Sequence, residues 1–355
     1  MAETMKAIRW LEKAKLELQE VPVPECGEDD IILEVKGAGI CGADMHWASG
    51  AFTADAPFTL GHEFCGVIAK KGSHVSKYWN IGDRVVSDNT GGACGHCSAC
   101  RRGDYVHCYQ RKTIGGGLNG GFAKYVKIPG EILTIAPNAL MKLPDSISFE
   151  EGAVMEPAAN SYRAVVYEAN VRPGDTVVIV GLGALGLYAL QIAKAAGASN
   201  IVCIGMKSDV EKRFPLAEKF GATKMLVADE VDVVEELLKM FGEDGIDVTI
   251  DAAGAAIVMK QAFQYLKHDG KFVKIGNPPS VYNDTLLPMI DKQISVIGHM
   301  GYDANCWFKV MQMVEKGQLD LKSMVGVVLP ISEYKKGYEL TRTQQVAKAV
   351  LIPED

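Results

Sequence analysis

The sequence of 355 residues contains no apolar run approaching the ~20 residues of a membrane-spanning helix. It has no excess of positive charge either: 37 Lys and Arg stand against 44 Asp and Glu, for a net charge of -7. A nucleic-acid backbone is bound through concentrated Lys and Arg, so that partner class is disfavoured. The opening stretch MAETMKAIRWLEKAKLELQE alternates apolar and charged residues and lacks the apolar core of a signal peptide. The expectation is a cytoplasmic protein with neither a membrane nor a nucleic-acid partner. Apolar residues at 48% and charged residues at 23% make an ordinary soluble globular balance. The length exceeds what one hydrophobic core usually organises, which points to two domains.

Against these absences the cysteines stand out. Thiols stay reduced in a cytoplasmic chain, so clustered cysteines read as metal ligands or chemistry rather than disulfides. CGHCSACRRGDYVHC places Cys94, Cys97, Cys100 and Cys108 within fifteen residues, with Gly91, Gly92 and Gly95 supplying turns. Four thiolates at short gaps suit a tetrahedral zinc in a closed, structural site. An iron–sulfur cluster is the rival, but ferredoxins put Pro after the last cysteine and Tyr109 follows Cys108 here. A nucleic-acid zinc ribbon would need a basic face, and the local RR and RK pairs do not make one.

Residues 175–205 read strand (Thr176–Val180), glycine turn, helix (about 184–196), strand (about 200–204). The turn Gly181-Leu182-Gly183-Ala184-Leu185-Gly186 is a dinucleotide fingerprint in its proper setting, between a β-branched strand and an Ala/Leu-rich helix. The first Gly allows the tight turn, the second a close approach to pyrophosphate, and the third close helix–strand packing. Phosphates then face the helix N-terminus. The β-rich segments KMLVA, IDVTIDAAG, GKFVKIG and ISVIG alternate with helical stretches, predicting a doubly wound α/β domain over 159–297.

The fingerprint's usual acid at the end of the second strand is missing, and Gly205 stands there. Lys207, Ser208, Lys212 and Arg213 follow, with Asp209 and Glu211. An absent carboxylate beside cations leans toward a 2′-phosphate, hence NADP(H) over NAD(H), unless Asp209 swings in. Lys212 and Arg213 read as solvated loop charges.

Upstream, GICGADMHW supplies Cys41, Asp44 and His46, LGHEFCG supplies His62 and Glu63, and AVMEPAAN supplies Glu156. A thiolate, an imidazole and a carboxylate can hold zinc with one position open for water or substrate. With a coenzyme domain behind them they form a candidate catalytic metal site.

CGADMH, GHEFCG, GDRVV, the four-cysteine lobe, GGFAKYV, EPAANSYRAV and VVIVGLGALG occur together and in order. In these segments the chain resembles the zinc-dependent medium-chain alcohol dehydrogenases, in their polyol (sorbitol-type) and threonine dehydrogenase-like branch. The resemblance covers almost the whole chain. It implies a GroES-like catalytic domain of residues 1–158 and 298–355, with a structural zinc lobe at about 91–112, beside a Rossmann coenzyme domain. It implies two zinc ions per chain. One is catalytic, on Cys41, His62 and a carboxylate, with Glu63 and Glu156 both candidates. The other is structural, on Cys94, Cys97, Cys100 and Cys108. Asp44 matches the carboxylate that orients the ligand His.

One departure concerns the proton path. The family usually carries Ser or Thr two residues after the first ligand Cys, and here Ala43 cannot relay a proton. His46, whose intrinsic pKa suits a relay, Glu63 or water must then do so, unless the mechanism is altered. A second departure is the long stretch IPGEILTIAPNALMKLPD, read as reshaping the cleft or a subunit contact.

The implied reaction is reversible oxidation of a secondary alcohol to a ketone by hydride transfer, with zinc polarising the substrate oxygen. Polyols, amino alcohols and hydrophobic secondary alcohols such as hydroxysteroids are the candidate substrates. Trp47, Phe52, Phe58 and Trp307 could line an apolar pocket, although core packing is their more usual role. The competing readings are a zinc-dependent carbonyl reductase and a non-catalytic zinc and dinucleotide sensor. The resemblance also implies a homodimer or homotetramer, with ISVIGHMGY as an exposed edge and His299 structural.

Overall fold

The computed structural model describes residues 3–12, 14–277 and 281–354. The chain forms two compact units, Met1–Glu156 with Asp303–Glu315 and Leu321–Asp355, and Pro157–Tyr302 with Lys316–Asp320. The short return Lys316–Asp320 is held in the second unit by its own contacts. The Asp320 backbone N–H donates to Gln191 Oε1 at 2.7 Å, and its carboxylate pairs with Lys219 at 2.9 Å.

The first unit is built on a seven-stranded sheet. Its path runs Leu140–Lys142, Arg84–Ser87, Glu63–Lys71, Ile31–Gly39, Lys348–Ile352, Val325–Pro330, with Tyr125–Ile128 also pairing Ile31–Gly39. The central strand, IILEVKGAG, is buried at nearly every position because both faces are covered. Its pairing with Glu63–Lys71 shifts register between Val35 and Gly37, and such bulges re-aim side chains. Beyond the bulge, Gly39 pairs with Glu63 at the start of the partner strand. A Cβ on Gly39 would lie 2.4 Å from Ala153 O and 2.5 Å from Glu63 Oε2, so no side chain fits between the strand and this carboxylate.

Two small sheets complete the unit. One orders Lys15–Pro22, Thr4–Glu12 and Phe58–Thr59, and the other Thr90–Gly92, Lys112–Ile114 and Gly117–Leu118. The long stretch singled out above folds as helix Gly130–Ile135, a turn Pro137–Ala139 and strand Leu140–Lys142. Its Ile132, Ala136 and Ala139 share one core cluster with Cys100 and Cys108, so it backs the cysteine lobe.

The second unit is a six-stranded, all-parallel sheet ordered Lys224–Val227, Asn200–Gly205, Thr176–Val180, Val248–Asp251, Lys271–Lys274, Ser295–Gly298. The strand TVVIV is wholly buried, as β-branched residues in a doubly covered sheet should be. Strand order reverses beside it, and in such sheets ligands bind in the crevice at that switch. Helix Ala184–Ala195 begins there. The next helix, Phe214–Phe220, carries Pro215 in its first turn, where the missing N–H costs nothing. Ser295–Gly298 ends the sheet, with Val296 and Met300 exposed nearby. His299 is structural: Nδ1 lies 2.8 Å from Glu168 and Nε2 3.3 Å from Asn160.

Candidate metal centres and coenzyme cradle

Cys41 stands at the N-cap of helix Gly42–Ser49, in an extended conformation. Asp44, three residues on, is fully buried and accepts the Cys41 backbone N–H at 2.8 Å. Its other oxygen faces His62 Nδ1 at 3.6 Å, too long for a hydrogen bond but close enough to orient a charge. The spacing Cys-x-x-Asp is thus a local cap that also ties two separate chain segments together. His62 follows Gly61, whose φ of +93° suits only glycine, and precedes strand Glu63–Lys71.

The ligand atoms of Cys41, His62 and Glu63 all lie within 4.8 Å of one another. Burial pushes the Cys41 thiol up, and the Glu63 charge adds to this. Burial alone would lower His62, but Cys41 and Asp44 outweigh it and hold the imidazole well above its usual range. Glu63 is 1% exposed; its Oε2 accepts from Lys348 Nζ at 2.5 Å, while Oε1 has no hydrogen-bond partner. Lys348, 3% exposed, also donates to Ile40 O at 2.7 Å. A buried, unpartnered carboxylate oxygen beside a thiol and an imidazole is the chemistry of a cation site, and zinc fits the set. Glu156 begins helix Glu156–Tyr162 and stands outside the three-residue group; its charge raises both Asp88 and Lys348.

Lys348 went unread in the sequence. Its signal is a lone cation inside the buried strand KAVLI. Of the aromatic residues, Trp47, Phe58 and Trp307 are buried core, and Phe52 is half-buried against His46, ring centroids 5.0 Å apart. His46 and Asp44 are the titratable residues of helix Gly42–Ser49, and His46 is the half-exposed one.

Cys94, Cys97, Cys100 and Cys108 also gather within 4.8 Å, all as free thiols. Backbone N–H groups of Cys94 and Gln110 point at Cys108 Sγ (3.3 and 3.4 Å), and that of Cys97 at Cys94 Sγ (3.3 Å). The Cys100 backbone N–H pulls the Cys97 thiol down to about 6, whereas burial pushes Cys100 up to about 12. Donors aimed at sulfur favour thiolate, and four thiolates in a closed loop fit zinc.

In the second unit the three glycines of the turn differ in the space around them. A Cβ on Gly181 (φ +91°) would sit 2.7 Å from Ala253 N, and one on Gly186 would sit 1.9 Å from Gly181 O. Gly183, the N-cap of helix Ala184–Ala195, faces open space within 4 Å. Leu182 is buried; Ala184 and Leu185 begin the helix at intermediate exposure. A Cβ on Gly205 would lie 2.7 Å from Phe214 and 2.9 Å from Asp209 Oδ2, so a side chain at that position would have to displace both. Asp209 is buried and fully engaged, accepting from Met206 N at 2.8 Å and Arg213 Nη1 at 3.0 Å. Arg213 is therefore structural rather than solvated. Lys207 is exposed and pairs with Glu230 at 3.2 Å, and Ser208 lies beside it in the turn Lys207–Asp209.

A mixed-sheet unit with a cysteine–histidine–glutamate centre and a four-thiol lobe, joined in one chain to a parallel unit with a glycine turn at its strand-order switch, defines a zinc- and nicotinamide-dependent oxidoreductase. Residues 27–138 match the family model described as alcohol dehydrogenase GroES-like domain, and residues 184–316 the one described as zinc-binding dehydrogenase. The chain is 36% identical over 353 residues (98% of each chain) to the uncharacterized zinc-type alcohol dehydrogenase-like protein YdjL of Escherichia coli K12. It is 33% identical over 341 residues to the sorbitol dehydrogenase of Halalkalibacterium halodurans, covering 95% of this chain and 96% of that one. The solved 2R,3R-butanediol dehydrogenase of Bacillus subtilis superposes with a TM-score of 0.87 at 27% identity, covering 99% of this chain and all of that one. The chain belongs to the zinc-type alcohol dehydrogenases, oxidoreductases that act on small-molecule alcohols with a nicotinamide coenzyme. Among the described residues no helix is long and apolar enough to cross a membrane.

Proposed function

We propose that the protein oxidises a secondary alcohol of a polyol reversibly to the ketone, using two zinc ions per chain and NADP(H). The observation that carries this reading is the Cys41–His62–Glu63 cluster, half-buried at the thiol and imidazole and buried at the carboxylate, with Glu63 Oε1 left for a cation. Cys41, His62 and Glu63 hold the catalytic ion, with Glu156 near enough to act on the same field. Zinc, when bound, supplies Lewis acidity toward the alcohol oxygen, and the coenzyme supplies hydride transfer. The chain's own residues do the rest. Asp44 orients His62 and Lys348 compensates Glu63. With Ala43 lacking a hydroxyl and Glu63 locked to Lys348, His46 carries the substrate proton outward. Cys94, Cys97, Cys100 and Cys108 hold the structural ion.

A polyol is favoured over a hydrophobic alcohol because Trp47, Phe58 and Trp307 are spent on core packing, and because polyol dehydrogenases are among the similar proteins. NADP(H) is favoured because Asp209 is engaged internally and no acid stands at Gly205, with Lys207, a cation exposed to solvent, beside it in the turn. The unpaired edge of Ser295–Gly298, flanked by exposed Val296 and Met300, supports a homodimer or homotetramer. Free thiols throughout the described cysteines fit a cytoplasmic location.

The test combines zinc quantification with a turnover screen of polyols, threonine, short secondary alcohols and hydroxysteroids, each with NAD and NADP. Two zincs and polyol turnover with NADP support the reading. One zinc and no turnover with any substrate would sink it and leave a non-catalytic sensor.

A further inference from the structure

Asn89 and Arg111 belong to no motif, yet they sit between the two candidate metal centres of the first unit. Asn89 has a φ of +56°, a left-handed conformation held by hydrogen bonds on every side. Its backbone N–H donates to Ser87 Oγ at 3.0 Å, and its carbonyl accepts from Ile114 N at 2.8 Å. Its side chain bridges outward in two directions. Nδ2 donates to the backbone carbonyl of His62 at 3.2 Å, and Oδ1 accepts from Arg111 Nη2 at 2.5 Å. Arg111 follows the lobe's last cysteine, and its backbone N–H donates to Cys108 O at 3.1 Å.

A second contact joins the same two places. The strand leaving the lobe, Lys112–Ile114, leads into Gly115, where a Cβ would stand 2.4 Å from Gly61 O and 2.7 Å from His62 N. The lobe's return therefore packs against the backbone that presents the imidazole. Cys108, Arg111, Asn89 and His62 form one continuous, half-buried to buried chain of contacts.

We propose that Asn89 and Arg111 are positioning residues that couple the four-cysteine lobe to the catalytic metal centre. The inference rests on the metal-centre reading above and goes beyond it. Closure of the lobe around its ion fixes Cys108, and through Arg111 and Asn89 it fixes the backbone of His62.

The experiment follows metal release from wild-type, Asn89→Gly and Arg111→Met chains loaded with zinc or with cobalt(II) and challenged with a chelator. Asn89→Gly removes the bridge while leaving the left-handed backbone accessible. Elemental analysis counts the ions, and the thiolate-to-cobalt bands distinguish a four-thiolate site from a one-thiolate site. Wild type is expected to hold two ions. In both variants the ion at Cys41, His62 and Glu63 should leave about tenfold faster, the scale seen when the outer partners of metal ligands are removed. Its cobalt d–d bands should shift, while the lobe ion keeps its wild-type bands and release rate. Circular dichroism identifies a variant that fails to fold; if Asn89→Gly does, Arg111→Met decides alone. Unchanged release and spectra at the Cys41 site overturn the coupling. So does equal acceleration at both sites, which marks general loosening. A wild-type chain that holds only the lobe ion removes the metal-centre reading itself, and the coupling with it.

Discussion

Replacing Lys348 by Met should destabilise the first unit more than any surface change could. The ammonium and its Glu63 partner are both almost fully buried, and Lys348 also satisfies the Ile40 carbonyl. Met preserves the stem and its packing but leaves a buried carboxylate without its counter-charge. Breaking a buried pair in this way costs about 3–5 kcal/mol. In a unit of about 200 residues, each kcal/mol moves the midpoint by roughly 2–4 °C, so the metal-free chain should melt about 10 °C lower. The assay is thermal unfolding of chelator-treated protein, followed by circular dichroism. Adding Glu63→Gln should restore most of the loss, because the charge stranded by Lys348→Met is then gone. Lys348→Arg should retain stability if its guanidinium reaches Glu63. A loss below about 1 kcal/mol for Lys348→Met, the scale of an exposed pair, would refute the argument, and so would a double variant in which the two losses simply add.

The glycine turn allows a paired test: Gly183→Ala meets nothing within 4 Å and should leave the melting temperature unchanged while weakening coenzyme binding, whereas Gly186→Ala drives a methyl onto Gly181 O, costing about 2 kcal/mol as well as affinity. Fluorescence titration with NADPH beside thermal melts would expose the error if Gly183→Ala bound normally. Burial pushes the Asp88 carboxyl up to about 7, so its contribution to stability is complete below the unfolded pKa near 4 and is lost as pH rises through 7. Asp88→Asn should therefore gain stability over wild type at pH 8, by up to about 4 kcal/mol, and show little gain at pH 4; a difference independent of pH would contradict this.

What the sequence revealed and what it hid divide along a physical line. Residues whose chemistry depends on short-range spacing were legible: the four thiols and the glycine turn. The strand Thr176–Val180 and the helix after it were legible for the same reason, since hydrophobic period and turn chemistry are local. Lys348, Asn89 and Arg111 were not, because their roles depend on partners 285, 27 and 22 residues away. Asp209 was legible as a charge but not as a captive of Arg213 and Met206. The fate of Trp47, Phe58 and Trp307 depended on packing density, which an aromatic letter does not disclose.

The pairing of Lys348 with Glu63 also imposes an order on synthesis. The strand Lys348–Ile352 completes the sheet of the first unit, yet it is translated after the whole of the second. At roughly 5–20 residues per second, the ribosome spends some seconds to tens of seconds on the intervening segment. Through that interval Glu63 lacks its lysine, and the strand Ile31–Gly39 lacks the neighbour that carries it. The nascent first unit thus waits as an acidic, unfinished sheet with an open strand edge. It is in that window, rather than in the finished enzyme, that the first unit's open edge is available to pair with another chain.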